Sequence, residues 1–308
     1  MKPEKILILG AGYTGKELAK LARRAEFDVV ATTRDDETAQ FLRRHNAEAL
    51  DWSVGDDPHC WTSHLGPTTA VVYSIPTLFR SYEGESQSPS EGLPRHVKPV
   101  ARALALCDEH GAACFSYLSS TSVYGDHGGD WVDENTSCKP SSPLGKMRYD
   151  IEAYLMTAEA DVLISVARLV GIYGPGRTLV DAIEAGRYTL LDDVKKVTNR
   201  IHVHDIARAL LAIIDHSPKK RRLFNLTDGH PQRARDLIEF ICDETGLDRP
   251  EEESIGEYAR RVDDPNRVAR RKNTIRVLND RLRSELDFEL VYPDVFAGYQ
   301  AILRGESK

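Results

Sequence analysis

The chain has 308 residues, 41% of them hydrophobic, and a formal net charge of −7. That length suits one large α/β domain, or a core domain with a smaller lobe, and the apolar fraction is enough for a sizeable core. A net-acidic chain has no global positive field for nucleic acid or an anionic membrane, and no apolar run approaches the roughly twenty residues of a membrane span.

Lys5–Leu9 (KILIL) is a short apolar run ending in glycine, which predicts a strand. Lys16–Ala25 has helical spacing at Leu18, Leu21 and Ala22. Asp28–Thr33 (DVVATT) reads as strand two, Thr38–His45 as a helix, Ala47–Asp51 as a short third strand and Thr69–Ile75 as strand four. Residues 80–96, rich in Ser, Gly, Pro and Glu, read as a surface loop. Val97–His110 is a helix with apolar positions at Val100, Ala101, Leu104 and Leu106. Ala113–Ser119 is strand five, Pro143–Glu159 a long helix and Val162–Leu169 strand six. Buried runs alternating with helices imply a Rossmann-type, doubly wound parallel sheet with right-handed crossovers. After Gly171 the regularity weakens. This predicts a dinucleotide-binding domain over 1–170, to which 201–225 return, and a smaller C-terminal substrate lobe over 171–200 and 226–308, packed over the carboxyl edge of the sheet.

Gly10-Ala11-Gly12-Tyr13-Thr14-Gly15 is GxGxxG, placed after a predicted strand and opening a predicted helix. Gly10 allows a tight turn, Gly12 lets backbone amides approach a pyrophosphate, and Gly15 lets helix pack on strand. The helix N-terminus then offers its unpaired N–H groups to phosphates. Tyr13 and Thr14 join this cofactor-binding set, as does Ser74 at the end of strand four. An NAD site places an acid at the end of strand two for the ribose hydroxyl; here Thr33 is followed by Arg34. A guanidinium pairs with a 2′-phosphate in a forked geometry, so NADP is favoured and NAD is the alternative. On the alternative, Asp35 or Asp36 bonds the ribose and Arg34 is solvated. Asp51 is either a partner for the adenine amino group or a turn residue.

From strand five onward, several segments resemble the extended short-chain dehydrogenase/reductase superfamily, the NAD-dependent epimerase/dehydratase family. They are Ser119–Gly125 (SSTSVYG), Trp131–Glu134 (WVDE) with Pro140, Arg168–Arg177 (RLVGIYGPGR), Asn199–Ala207 (NRIHVHDIA) and Phe224–Asp228 (FNLTD). The tail from Lys272 through Tyr292-Pro293, with Asn279, resembles uncharacterised atypical members related to nucleoside-diphosphate-sugar epimerases. The resemblance implies a sugar nucleotide or another polyhydroxylated carbonyl metabolite as substrate. It also implies a homodimer through the helices at 97–110 and 143–159, which the family commonly uses for that interface.

The family's YxxxK signature is missing. Aligning its helical Glu on Glu152 puts Leu144 at the tyrosine position and Arg148 at the lysine position. The family tyrosine exchanges a proton with the substrate oxygen as hydride moves, and the lysine holds the nicotinamide ribose. Leucine transfers no proton, and arginine keeps the charge without copying lysine. Ser120 stands where the family places its catalytic Ser/Thr, and Tyr124 of the VYG motif is a second proton-donor candidate. Tyr149, His127 and Lys146 are weaker ones. The catalytic candidates are therefore Ser120, Tyr124 and Arg148, with Arg148 also contacting cofactor.

His202, His204 and Asp205 invite a metal reading, but the family motif makes this a structural turn with Asp205 capping a helix over Ile206–Ile214. No metal is therefore expected. The basic run Arg267–Lys272 is flanked by Asp263, Asp264 and Asp280, which argues against a nucleic-acid patch. Five cysteines without CxxC pairing argue against disulfides and zinc, and with no signal-peptide pattern they predict a cytoplasmic protein. Two functions remain: an NADP-dependent oxidoreductase or epimerase-like enzyme with a non-standard acid/base group, or a non-catalytic NADP-binding redox sensor or regulator on the same scaffold.

Overall fold

In the computed structural model, which describes residues 2–77, 92–193, 195–216 and 220–306, the chain opens β1 (Lys5–Leu9), α1 (Tyr13–Arg24), β2 (Asp28–Thr33), α2 (Asp36–Arg44) and β3 (Glu48–Asp51). It continues through α3 (His59–Thr62), β4 (Thr69–Tyr73), α4 (Lys98–Glu109), β5 (Cys114–Ser120), β6 (Trp131–Val132), α5 (Pro143–Thr157), β7 (Leu163–Leu169) and β8 (Gly171–Tyr173). Then come α6 (Val180–Glu184), β9 (Leu190–Leu191), β10 (Val197–Thr198), β11 (Arg200–His202), α7 (Val203–Asp215) and β12 (Arg221–Leu226). The last third holds β13 (Gln232–Arg233), α8 (Ala234–Thr245), β14 (Glu252–Glu253), α9 (Ile255–Val262), α10 (Pro265–Lys272), β15 (Arg276–Val277), α11 (Asp280–Leu286) and α12 (Val295–Leu303).

A seven-stranded sheet runs in the order β12-β7-β5-β4-β1-β2-β3. β1 pairs in parallel with both β2 and β4, so strand order reverses between β1 and β4. In open α/β sheets the crevice outside the carboxyl ends of such strands is where ligands bind. The predicted strands one and two coincide with β1 and β2. The first helix begins at Tyr13, three residues before the predicted start, because the glycine-loop residues carry no apolar periodicity yet are wound into its first turn. Of the loop read over 80–96, residues 80–91 lie outside the described residues, and 92–97 carry neither helix nor strand.

Residues 1–119, 147–168 and 206–224 form one compact unit, and 120–146, 169–205 and 225–308 a second. The core of the first is Leu7, Leu9, Val71, Phe115, Ile151 and their neighbours, buried between the sheet and α4 and α5. Inside it sits a charged group: Glu152, 2% exposed, accepts from Arg168 Nε at 3.0 Å and Nη2 at 2.6 Å, and from the Ser119 hydroxyl.

The second unit is held by short ladders and side-chain bonds that join the motifs. Tyr124 is fully buried, and its phenol lies 2.8 Å from both Asp133 O and Asn225 Oδ1. Asn225 N–H in turn donates to Glu134 Oε1 at 2.8 Å. The VYG, WVDE and FN segments thus form one buried hydrogen-bond web. Asp205 is not the helix cap expected from sequence. Helix α7 begins two residues earlier, and the buried carboxylate instead accepts from Val291 N–H at 2.8 Å and Tyr292 N–H at 2.9 Å, anchoring the chain before α12. His202 Nδ1 accepts from His204 N–H at 3.2 Å, and its ring lies 3.9 Å from that of Tyr292. This segment therefore packs the fold.

Candidate dinucleotide site

The turn after β1 is shaped by steric demands that only glycine meets. Gly10 has φ +90°, and a Cβ there would lie 2.7 Å from Ile75 Cγ1. Its N–H donates to Thr32 Oγ1 at 2.9 Å, and Ala11 N–H donates to Thr32 O at 2.8 Å, so β2 pins the turn. Thr32 was invisible to the motif reading, because it stands twenty-two residues from the glycine it holds. A Cβ on Gly15 would sit 3.2 Å from both Gly10 O and Ile8 Cγ2, so α1 lies directly against β1. Gly12 differs: a Cβ there would meet nothing within 4 Å. Packing does not require glycine at 12, and the bare backbone faces open space at the start of α1, which has no side-chain cap. That is the cradle a pyrophosphate needs. Gly10→Ala is expected to lower stability by about 1–3 kcal/mol, from overlap and a left-handed backbone; a urea-unfolding midpoint equal to wild type would contradict this packing.

Thr33 ends β2 and faces Asp51 in register on β3. Asp35 caps α2: its carboxylate accepts from the Thr38 hydroxyl at 2.6 Å and Thr38 N–H at 2.8 Å. Those bonds hold the Asp35 carboxyl below the usual carboxylate range. Of the two residues that could meet a ribose hydroxyl, Asp35 is therefore engaged in its own helix, while Asp36 is exposed in the first turn of α2. Arg34 is exposed and has no ion-pair partner among the described residues, while Asp51 is also exposed. Ser74 follows β4, its N–H donating to Leu9 O at 2.8 Å. Gly10, Gly12, Thr33, Arg34, Asp51 and Ser74 thus lie at the carboxyl ends of four adjacent strands, with Tyr13 half-buried and Thr14 buried beside them.

The catalytic candidates fare unevenly. Tyr124, expected as a proton-donor candidate, is fully buried, with its phenol 2.8 Å from both Asp133 O and Asn225 Oδ1. Ser120 closes β5 half-buried and its Oγ accepts from Ser122 N–H at 3.2 Å, leaving the hydroxyl proton available. Leu144 opens α5 with its N–H on Asn266 Oδ1 at 2.8 Å. Arg148, on the same helix, lies close enough to Tyr117 to favour its phenolate. Burial outweighs that effect and pushes the Tyr117 phenol up to about 12. Tyr117 bonds Thr77, and as an apolar-strand residue it gave no signal in the sequence.

In the second unit, α10 gathers cations. Arg270 is held below its ordinary pKa by burial and then by the like charges of Arg267, Arg200 and Arg271. Arg200, Arg267 and Arg270 have no ion-pair partner among the described residues. Among those residues no helix is long and apolar enough to cross a membrane.

Comparison with known proteins agrees with this architecture. An "Uncharacterized UDP-glucose epimerase" of Bacillus subtilis is 25% identical over 129 residues, 39% of this chain and 40% of that protein, so this match spans less than half of either. A UDP-glucose 4-epimerase of Corynebacterium glutamicum is 24% identical over 288 residues, 85% of each chain. The solved structure of a functionally unknown conserved protein from Silicibacter pomeroyi matches with TM-score 0.81 and 27% identity, over 99% of this chain and 100% of that one. Residues 6–227 match the model of the NAD dependent epimerase/dehydratase family, and with the glycine turn, the switch point and the motif web in place, the chain belongs to that family.

Proposed function

We propose that this protein binds NADP in preference to NAD and acts on a sugar nucleotide or a similar polyhydroxylated carbonyl compound through a non-standard acid/base group. The observation that carries the cofactor preference is the β2–α2 corner. Asp35, the carboxylate next to Arg34, caps a helix, and the Arg34 guanidinium has no ion-pair partner among the described residues. The family's description supports NAD-type dinucleotides in general. Amides of the Gly12 turn would hold the pyrophosphate, Arg34 the 2′-phosphate and Arg148 the nicotinamide ribose. A bound nicotinamide supplies redox chemistry at a substrate carbon. Ser120 would orient the substrate oxygen with its free proton. Arg200, Arg267 and Arg270, which have no ion-pair partner among the described residues, offer the charge that a substrate diphosphate needs. The name of the Corynebacterium relative supports that substrate class.

The expected result is slow NADPH turnover with a UDP-sugar or its keto derivative. Ser120→Ala should abolish it, and Arg270→Gln should raise KM about tenfold with kcat little changed, the loss of about one charge-assisted bond. No turnover across a broad carbonyl and sugar-nucleotide panel would remove the enzymatic reading. Two observations favour the second function, a non-catalytic NADP-binding sensor: Leu144 supplies no proton, and the Tyr124 phenol is enclosed. That reading expects tight cofactor binding without turnover, and activity gained in Leu144→Tyr with Arg148→Lys.

A further inference from the structure

Helix α10, Pro265–Lys272 (PNRVARRK), carries four cations and no acid. None of its residues is fully buried, so apolar burial does little to seat it in the second unit. Polar bonds hold its two ends. At one end, Asn266 Oδ1 accepts from Leu144 N–H at 2.8 Å. At the other, Lys196 Nζ donates to Arg270 O at 3.2 Å and to Asn273 O, and Asn273 Nδ2 donates to Ser141 Oγ at 2.6 Å.

The four cations are not equivalent. Arg270, Arg271 and Lys272 stand in the last turn, where the helix dipole favours positive charge. Arg271 is also engaged: its guanidinium lies over the rings of Tyr188 and Tyr258, 5.0 and 5.1 Å from their centroids, and donates to the Tyr188 hydroxyl at 3.2 Å. Arg267 is placed against both the dipole and its neighbours. It stands in the first turn, where the dipole disfavours a cation. Arg270 and Arg271 follow three and four residues on, so two like charges share its face. Asp264 caps the helix by accepting from the N–H groups of Asn266 and Arg267, at 2.9 and 3.1 Å. The Arg267 guanidinium nevertheless has no ion-pair or hydrogen-bond partner among the described residues. Burial, and then the charges of Arg267, Arg200 and Arg271, hold Arg270 below its ordinary pKa, so the repulsion reaches along the helix.

We propose, resting on the reading that its arginines meet a substrate diphosphate, that α10 is a strap kept loose by its own charge and tightened when that diphosphate neutralises Arg267 and Arg270. A phosphate between the two guanidiniums replaces one repulsive pair with two attractive contacts, and the helix then opens less often from its anchors at Leu144 and Lys196. Anion binding and helix order become one event.

Amide hydrogen exchange of residues 264–274 in the full chain reports how often the strap opens. Helix α8, whose Leu237, Ile238 and Ile241 are buried, is the internal reference. Without ligand, raising sodium chloride from about 0.05 M to about 0.5 M should slow exchange in the strap about threefold by screening the repulsion, with α8 unchanged. Arg267→Gln without ligand should also slow it about threefold, and added salt should then do little more. Glutamine matches arginine in helix propensity, so the charge is what changes. UDP, shown to be saturating by calorimetry, should slow exchange about tenfold in the wild type and leave Arg267→Gln/Arg270→Gln unchanged. Faster or equal exchange in ligand-free Arg267→Gln, or no response to salt, would overturn the strap, because a merely structural helix does not tighten when a side chain is lost. UDP binding that depends on the arginines but leaves exchange in α10 unaltered would overturn the strap and keep the reading of the site. UDP that fails to bind, or binds the double variant equally well, would overturn that reading and the tightening with it, even where the ligand-free repulsion is found.

Discussion

Glu152→Ala is expected to destabilise the protein by about 3–5 kcal/mol, the cost of leaving a buried charge without its partner. Glu152 is 2% exposed and Arg168 5% exposed, so water cannot replace the lost carboxylate. Both Glu152 oxygens are used, one by Arg168 Nε and Nη2 and the other chiefly by the Ser119 hydroxyl. The alanine variant therefore takes this carboxylate from a buried guanidinium and a hydroxyl together. Glu152→Gln keeps the shape and should lose less, about 2 kcal/mol, because one neutral acceptor remains. Replacing both partners, Glu152→Leu with Arg168→Met, should recover most of the loss, since a matched apolar pair carries no desolvation penalty. Urea unfolding of the four proteins measures this. A single-alanine loss under 1 kcal/mol would mean that the pair is not buried as described.

Arg34→Ala is expected to weaken NADP binding by about 10–100-fold while changing NAD affinity by less than about threefold. A forked, charge-assisted contact to a phosphate contributes about 1.5–3 kcal/mol, and each 1.4 kcal/mol is a factor of ten. The effect is selective because only the 2′-phosphate distinguishes the two coenzymes. Arg34→Asp should go further and invert the preference, since a carboxylate there repels the phosphate and can accept from a ribose hydroxyl. Calorimetry at one fixed ionic strength is needed, because an exposed guanidinium is screened by salt. Equal losses for both coenzymes in Arg34→Ala would show that the residue supports the fold and does not read the phosphate.

Much of the first unit was legible in the sequence. Buried parallel strands are continuous apolar runs, and KILIL and DVVATT have no competing helical period. The glycine turn was legible for the same physical reason it exists: Gly10 sits where a Cβ collides, and Gly15 where one would be tight against β1. What stayed hidden depended on partners distant in sequence. Thr32 holds Gly10, and Asp205 reaches the backbone of 291 and 292. No local pattern announces such bonds. A tyrosine in a family motif suggests chemistry, and the sequence gives no sign that the Tyr124 phenol closes a hydrogen-bond web with Asp133 and Asn225. The small ladders of the second unit were unreadable because two-residue strands such as β9 and β14 have no period to detect.

The central claim is that the backbone beside Gly12 and the guanidinium of Arg34 together hold a 2′-phosphorylated dinucleotide. Titrating the wild-type protein with NADP and with NAD in the same buffer tests it most directly. The account predicts saturable binding of both, with NADP tighter by at least about tenfold, the worth of one charge-assisted contact. Failure of either coenzyme to bind at millimolar concentration, or a clear preference for NAD, would contradict it.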